Sequence, residues 1–571
     1  MKIAKEITLK NLLNAYLKNN KNYEYKVIDN VHYLHISFKE AKAVLIASLS
    51  YFSIVGRHQF KFPLNILKLG EDIPQPIDFF TSVEMILSAL MESNKVLNAD
   101  SINFIEQIKG SYRNLKLTFS QLDCQQINEL FAQRVNFKLT ESSLLAGHQM
   151  HPTPKSCDGF TSEEFIAYYP ELRNQFQMHY FLASKENVMS DSLLSNTTND
   201  LLQKYFLDGK NYGDDILIPI HPWQAQYIKN LAPIKKMLED KTLTELGPLG
   251  QYFNATSSIR SVYSERVPYM LKLSLNVMIT NSVRMQYERE LSRAISVGKF
   301  WKSIIATQLK NKFPSFNAIT DPAFICLQYK GQIIEESAVL FRNNPFMDAD
   351  NNVACLASLC QDNPFKSGNR FNEIIPQLAV NYNVTDKEAS ILWFNKFLQM
   401  CIEPLLWLFT HYEIALEGHQ QNLLIKIDRD GMPECGYYRD SQGYYISDNA
   451  LSKSDNNLGI YHDFATGSTE FIAHHLSYYL ICNSVFGVIN AIAYAGYINE
   501  IELIKSLQKF IFSKDKEWIN KVNSYLNTLL NNKTLPIKDN LGTKLFNMDE
   551  LTAPLEMQSI YSEIPNPLNL N

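Results

Sequence analysis

Residues 251–284, QYFNATSSIRSVYSERVPYMLKLSLNVMITNSVR, bring three chemical groups into one short span. A hydroxyl-rich turn carries an arginine (Ser257, Ser258, Arg260, Ser261), an apolar strand carries a lysine (Lys272), and a second polar end carries Thr280, Asn281 and Arg284. Arg260, Lys272 and Arg284 stand twelve residues apart, and the alternation between them reads as a strand. Three cations with adjacent hydroxyls suit a polyanion. A surface hairpin with solvated cations satisfies the same spacing, so the rest of the chain must supply complementary chemistry.

A chain of 571 residues exceeds what one hydrophobic core serves and is expected to divide into roughly three lobes. Hydrophobic content of 46%, charged content of 20%, 33 Phe and 30 Tyr point to a folded globular protein. The net charge of −5 and pI near 6.2 offer no basic stripe for a phosphate backbone, which disfavours nucleic acid as a partner. The N-terminal MKIAKEITLKNLLNAYLKN reads as an amphipathic helix without an uninterrupted apolar core or cleavage site. The long uncharged run 476–499 is broken by Asn483, Ser484, Asn490 and two glycines, so it reads as one or two buried helices and no membrane span is expected. Eight scattered cysteines with no CxxC pair fit reduced thiols in a cytoplasm.

Along the chain, TSVEMILSALMESNKVLNAD is expected to be a helix and VHYLHISF an alternating strand. From Glu141 the composition changes: ESSLLAGHQMHPTPKSCDGF precedes a helix with Thr161 as N-cap. DSLLSNTTNDLLQKYF reads as helical, and DILIPI as a strand leading to His221. Beyond Arg284 the periodicity predicts a surface helix, and residues 321–345 predict a pair of strands. ASILWFNKFLQMCIEPLLWLFTHYEIAL is apolar on too many faces for the surface and is expected to form a core. The tail 532–571 reads as an irregular strap.

Two further clusters carry chemistry. Glu417, His419 and Gln421 alternate on a segment read as extended, so they share a face, with Asn422 after them and Asp440 across a hairpin. Oxygen ligands from Asn422 and Asp440 suit Mg²⁺ completed by phosphates, an arrangement similar to that of protein kinases. The second cluster is Gly147, His148, His151, Lys155 and Gly159. Two histidines three apart allow a metal, but no third ligand stands at a usual spacing, and imidazole beside ammonium suits phosphate oxygens. His221 and Trp223 of IHPWQ read as a packed turn with a satisfied histidine.

In order, GHQMHPTPKSCDG, IHPWQ, SSIRS with KLSLNVMITNSVR, EGHQQN and YRDSQG make the chain resemble the siderophore synthetases independent of nonribosomal peptide synthetases, the aerobactin synthetase (IucA/IucC) family. The resemblance covers residues 141–445 by motif. It implies an α+β fold shaped as a cupped hand: a thumb (1–170), fingers with ATP-binding strands (171–350) and a helix-rich palm (351–571), the last two distantly kinase-like. It also implies a reaction, in which a carboxylate of citrate or a related acid attacks the α-phosphate of ATP, and an amine or alcohol then displaces AMP. By resemblance Ser258, Arg260, Ser261, Lys272 and His151 serve ATP. Thr280, Asn281, Arg284 and His419 serve the acid. Glu417, Gln421, Asn422 and Asp440 serve the nucleotide, with Asn422 and Asp440 on Mg²⁺.

The family implies small-molecule substrates and a homodimer. Gln149 stands where the family has proline, and Ser261 and Asn281 replace the commoner threonine and serine, so the acid stays open. A kinase-like phosphotransferase is the rival reading, but no catalytic Asp precedes Asn422 and no glycine-rich phosphate loop is present. A non-catalytic binder of citrate or ferric citrate would keep Arg284 and His419 without needing Lys272 or Asn422.

Overall fold

Ser274 divides the 251–284 stretch in two. The computed structural model describes residues 2–20, 23–38, 42–94, 98–348, 351–453, 461, 463–518, 521–546 and 560–569. In it Tyr269–Leu273 and Leu275–Ile279 are separate strands in separate sheets, where a single strand was expected. Ser274 itself makes the break: its N–H donates to Ala338 O, its hydroxyl donates to Glu335 O at 2.6 Å, and Gln286 N–H donates back to that hydroxyl. Gln224 of IHPWQ secures the departing strand, accepting from Asn276 N–H at 2.8 Å and donating to Glu336 O.

The larger sheet has eight strands in the order Ile216–Ile220, Gln175–Ala183, Leu243–Ala255, Ser261–Tyr263, Tyr269–Leu273, Gln332–Asn343, Ala323–Tyr329 and Val188–Ser192. Alternation sorts its faces. Leu271, Leu273, Val339 and Phe341 enter a core with Met178, Tyr180 and Phe253. Lys272 and Arg342 lie on the opposite face, Lys272 paired across to Ser261 and to Leu340. The smaller sheet joins Leu275–Ile279 to Ser282–Arg284 and to Cys157–Asp158, and so brings the 147–159 loop beside Thr280.

Two other cores complete this mixed α and β fold. The N-terminal one packs the helices Lys2–Asn19, Phe79–Asn94 and Asn98–Gln121 on a six-stranded antiparallel sheet that includes VHYLHISF as Val31–Phe38. The C-terminal core is built on Asp386–Phe397, Glu403–Tyr412 and the run Thr469–Tyr494, which is long and apolar enough to cross a membrane but is mostly buried here. Residues Ser477–Val485 within it are π-helical, a local widening common at functional sites.

Several expectations change. The helix after Arg284 starts at Glu288, breaks after Phe300 and is largely buried, because Leu291 and Ile295 pack on the eight-stranded sheet while Val297 and Phe300 enter the C-terminal core. The first two residues of DSLLSNTTNDLLQKYF, Asp191 and Ser192, end the strand Val188–Ser192, and the helical turns begin only at Thr198. The tail is no mere strap: Thr534–Lys538 pairs with Tyr561–Pro565, and Leu541 and Leu545, one helical turn apart, enter the N-terminal core. Its residues 547–559 lie outside those described.

Candidate active site

A cavity of about 270 Å³ opens between the 147–155 loop, the Thr280 turn, the EGHQQN segment and the π-helical residues Tyr478, Tyr479 and Cys482. Lys538 and Asn540 of the tail close one side. Gly147 shapes the loop: its φ is +68°, and a Cβ there would stand 2.3 Å from Pro154 O. EGHQQN is not extended as expected. It is a tight connection in which Asn422 and Leu423 N–H both reach back to His419 O, and it begins at Gly418, where a Cβ would come within 2.9 Å of Leu405 and Leu480. The turn still presents Glu417, His419 and Gln421 to the same cavity.

The two polar ends of the 251–284 stretch each hold a β-branched residue in the left-handed region, Ile259 (φ +68°) and Thr280 (φ +54°). Such residues avoid that conformation, and strain of this kind collects at functional sites. Interactions hold Thr280 there: Arg284 Nη2 donates to Ile279 O at 3.0 Å and to Thr280 Oγ1 at 3.2 Å, and Lys544 Nζ donates to Thr280 O. Asn281 Oδ1 lies 2.8 Å from His151 Nε2. Thr153 N–H donates to His151 Nδ1, which assigns the imidazole proton to Nε2. Burial, with His148 and Lys544 nearby, pushes the His151 pKa well below its ordinary value, so the ring is neutral. His419 is likewise pushed down to about 4, chiefly by burial, and its Nδ1 accepts from Gln421 N–H.

Beside the cavity, Ser257 N–H and Oγ both donate to Glu141 Oε2 at 2.9 Å. Arg439 bridges the other Glu141 oxygen at 2.9 Å and Gln421 O at 3.0 Å, while Gln421 Nε2 reaches Ser257 Oγ at 3.3 Å. Glu141 and Arg439 escaped the sequence reading. Arg439 sat inside YRDSQG, but nothing local marked Glu141 as its partner.

Ser258, Arg260, Ser261, Lys272, Asn422 and Asp440 do not line this cavity; the last of them centres an adjoining charged cluster. Lys272 Nζ stands 3.4 Å from Asp440 Oδ1, and Arg342 Nη2 stands 4.0 Å from it. Arg342 also grips Asp321 with bonds of 2.6 and 3.0 Å, and Ser441 Oγ donates to Asp321 at 2.5 Å. Arg260 donates to Met285 O and feels both Glu290 and Asp440. Burial raises the Asp440 carboxyl, but Lys272 and Arg342 outweigh it and hold the group well below the usual carboxylate range. Desolvation lowers the Lys272 ammonium, opposed by Asp440. Ser258 Oγ accepts from Ser261 N–H, and Asn422 Nδ2 donates to Glu417 O at 3.2 Å. Arg342 and Asp321 were also missed, since Arg342 lies near the end of the strand Gln332–Asn343 and Asp321 in the link before Ala323–Tyr329, outside every motif. Lys155, expected to face phosphate with the imidazoles, is instead bound to Glu171 at 2.5 Å.

The chain matches the sequence model described as the IucA / IucC family over residues 136–361 and that described as Ferric iron reductase FhuF-like transporter over residues 391–553. It is 32% identical to the spermidine-citrate ligase of Bacillus anthracis, over 99% of this chain and 98% of that protein. The chain belongs to the IucA/IucC family of siderophore synthetases. The rhizobactin siderophore biosynthesis protein RhbC of Rhizobium meliloti is 30% identical over 99% of this chain and 97% of its own. Among solved structures, ATP-bound aerobactin synthetase IucA from Klebsiella pneumoniae superposes with a TM-score of 0.90 at 23% identity, covering 99% of each chain, so the IucA/IucC fold is shared throughout. Among the described residues no three His, Cys, Asp or Glu side chains are grouped to hold a metal ion.

Proposed function

We propose that this IucA/IucC protein is an ATP-dependent, AMP-forming ligase of siderophore synthesis. It adenylates a carboxylate of citrate, a citryl compound or a related polycarboxylic acid, and condenses it with an amine or alcohol. The observation that carries this reading is the junction of two environments: a cavity holding Arg284, His151 and His419, and a charged cluster around Lys272, Arg342 and Asp440. Adenylation must bring two anions together, and fixed cations placed before the reaction supply the necessary field.

Lys272 and Arg260 meet the triphosphate, with Ser258 and Ser261 shaping their turn and Glu417 and Gln421 on the nucleotide side. His151, neutral and bonded through Nε2 to Asn281, stands on the phosphate side without adding charge. Arg284, Thr280, Asn281 and His419 orient the acid, Arg284 by a planar fork that matches a carboxylate. A carboxylate oxygen attacks the α-phosphorus, the bond to pyrophosphate breaks, and the second substrate later displaces AMP. Mg²⁺ fits the oxygen donors Asn422 and Asp440, because Asp440 is held ionised yet Lys272 approaches it only to 3.4 Å, longer than a tight charged contact. When bound, Mg²⁺ neutralises phosphate charge.

The three cores support a cupped-hand division into thumb, fingers and palm near 1–170, 171–350 and 351–571, with a kinase-like fingers and palm. Leu541 and Leu545 cross into the first unit. We also propose a cytoplasmic homodimer acting on small molecules, without nucleic acid or membrane as partner. The test is pyrophosphate release with ATP and citrate, 2-oxoglutarate or succinate against diamines, amino acids and amino alcohols. AMP with pyrophosphate is expected. ADP would establish the phosphotransferase instead, and no ATP binding would leave a citrate-binding protein.

A further inference from the structure

The Lys155–Glu171 pair lines the cavity, yet the roles above do not use it. Both residues are 2% exposed. Lys155 Nζ bonds Glu171 Oε1 at 2.5 Å, whereas Glu171 Oε2 is buried and has no hydrogen-bond partner among the described residues. Buried ion pairs seldom stabilise a fold by themselves, and an unpartnered buried carboxylate oxygen is costly, so this oxygen marks a place where a ligand's donor belongs. The pair is rigidly held. Lys155 N–H donates to Ser111 Oγ and Asn114 Nδ2 donates to Lys155 O, both from the helix Asn98–Gln121. Tyr169, stacked on Phe165, packs under the ammonium, lines the cavity, and feels both the Glu171 and the Arg284 charges. Glu171 therefore stands on the side where the ligase reading places the acid.

Resting on that reading, we propose that Glu171 Oε2 receives the ammonium of the second substrate and takes a proton from it, so that the nucleophile is a primary amine that enters charged. The ammonium gives one proton to Glu171. The freed nitrogen lone pair forms the C–N bond at the acyl carbon, the C–O bond to AMP breaks, and the proton lost by the new amide goes to the departing phosphate. Desolvation raises the Glu171 pKa against the opposing pull of Lys155, which strengthens it as a base.

Hydroxylamine provides the test, because it is uncharged near neutral pH and captures an acyl-adenylate without a base. With citrate as the acid, three rates are measured on wild type and Glu171→Gln: ATP–pyrophosphate exchange, hydroxamate formation with hydroxylamine, and condensation with spermidine, 1,3-diaminopropane and L-2,3-diaminopropanoate. We expect Glu171→Gln to keep exchange and hydroxamate formation within about threefold while condensation with the amine that wild type uses falls by about 100-fold or more. Equal losses with hydroxylamine and amine, or no loss, would overturn the proposal. If Glu171→Gln loses exchange as well, Glu171→Asp decides: about a tenfold selective loss of amine transfer supports the role, and any unselective result rejects it. Wild type without acid-dependent exchange would instead fail the ligase reading itself.

Discussion

The charged cluster around Lys272 and the cavity wall around His151 and His419 handle burial in opposite ways. In the cluster the buried charged groups are answered by opposite charges: Lys272 and Arg342 by Asp440, and Arg342 again by Asp321. Along the wall, burial keeps His151 and His419 from taking a second proton and leaves each ring neutral, with one donor and one acceptor nitrogen. The difference suits two tasks. A triphosphate brings enough charge to need compensation already in place, while an acid gripped by Arg284 needs orientation and no further cation that would hold it back from the phosphorus.

Four experiments break or sharpen that contrast. Lys272→Ala should cost the most, about 100- to 1,000-fold in acid-dependent ATP–pyrophosphate exchange; normal KM and kcat for ATP would remove Lys272 from the phosphates. Arg284→Ala should raise the KM for the acid by about 30-fold, the value of a charge-assisted pair of roughly 2 kcal/mol, with ATP binding retained in calorimetry. Unchanged pyrophosphate release at subsaturating acid would take Arg284 out of the acid site.

Acid separates the buried neutral histidines, including His221 after the strand Ile216–Ile220, from the charged cluster by stability. A histidine whose folded pKa lies below its unfolded value stabilises the fold above pH 6.5 and loses that contribution as pH falls, as for His419 at about 4 and the fully buried His221 at about 3. Each fully buried histidine should contribute a slope of up to about 1.4 kcal/mol per pH unit across that window. The depressed Asp440 carboxylate has the same sign but acts lower: its contribution is present above the ordinary carboxylate pKa and is lost only as pH falls below it. Denaturant titrations from pH 7 to 4 should show the first slope, and His221→Asn should flatten it; a slope unchanged in that variant would contradict the assignment. The smallest effect is expected of Thr280→Gly, which relieves a left-handed β-branched residue by about 1 kcal/mol while loosening the turn, so the KM for the acid should rise a few-fold with little change in Tm. A lower KM would show that the strained turn does not position the acid.

Much of this was legible in the chain. Thr161 caps its helix as expected, Val31–Phe38 is the alternating strand, and the 386–412 run supplies Trp393, Phe394, Phe397 and most of Glu403–Tyr412 to the C-terminal core while Leu392 on its outer face stays exposed. The motif residues Thr280, Asn281, Arg284, His151, Glu417, His419 and Gln421 meet at one cavity. Other features were hidden because their partners are remote in sequence. Glu141 answers Arg439 across nearly three hundred residues, and Asp321 is bonded by Arg342 on one side and by Ser441, from the turn at Asp440, on the other. Ser274 looked like one more small residue on a strand, and only Glu335 O and Gln286 N–H reveal it as the point where the chain changes sheets.

By itself the sequence determined the family, the residue types that can face ATP and an acid, and the periodicities of the long helices and strands, since those depend on neighbours a few positions apart. Tertiary structure alone decided that residues 251–284 form two sheets rather than one hairpin. It also decided that Lys272 adjoins the cavity without lining it, and that Lys155 is committed to Glu171 with one carboxylate oxygen left over. The physical reason is that charge, burial and hydrogen bonding act through space: what a lysine does depends on which carboxylate the fold brings within reach, and no local pattern records that.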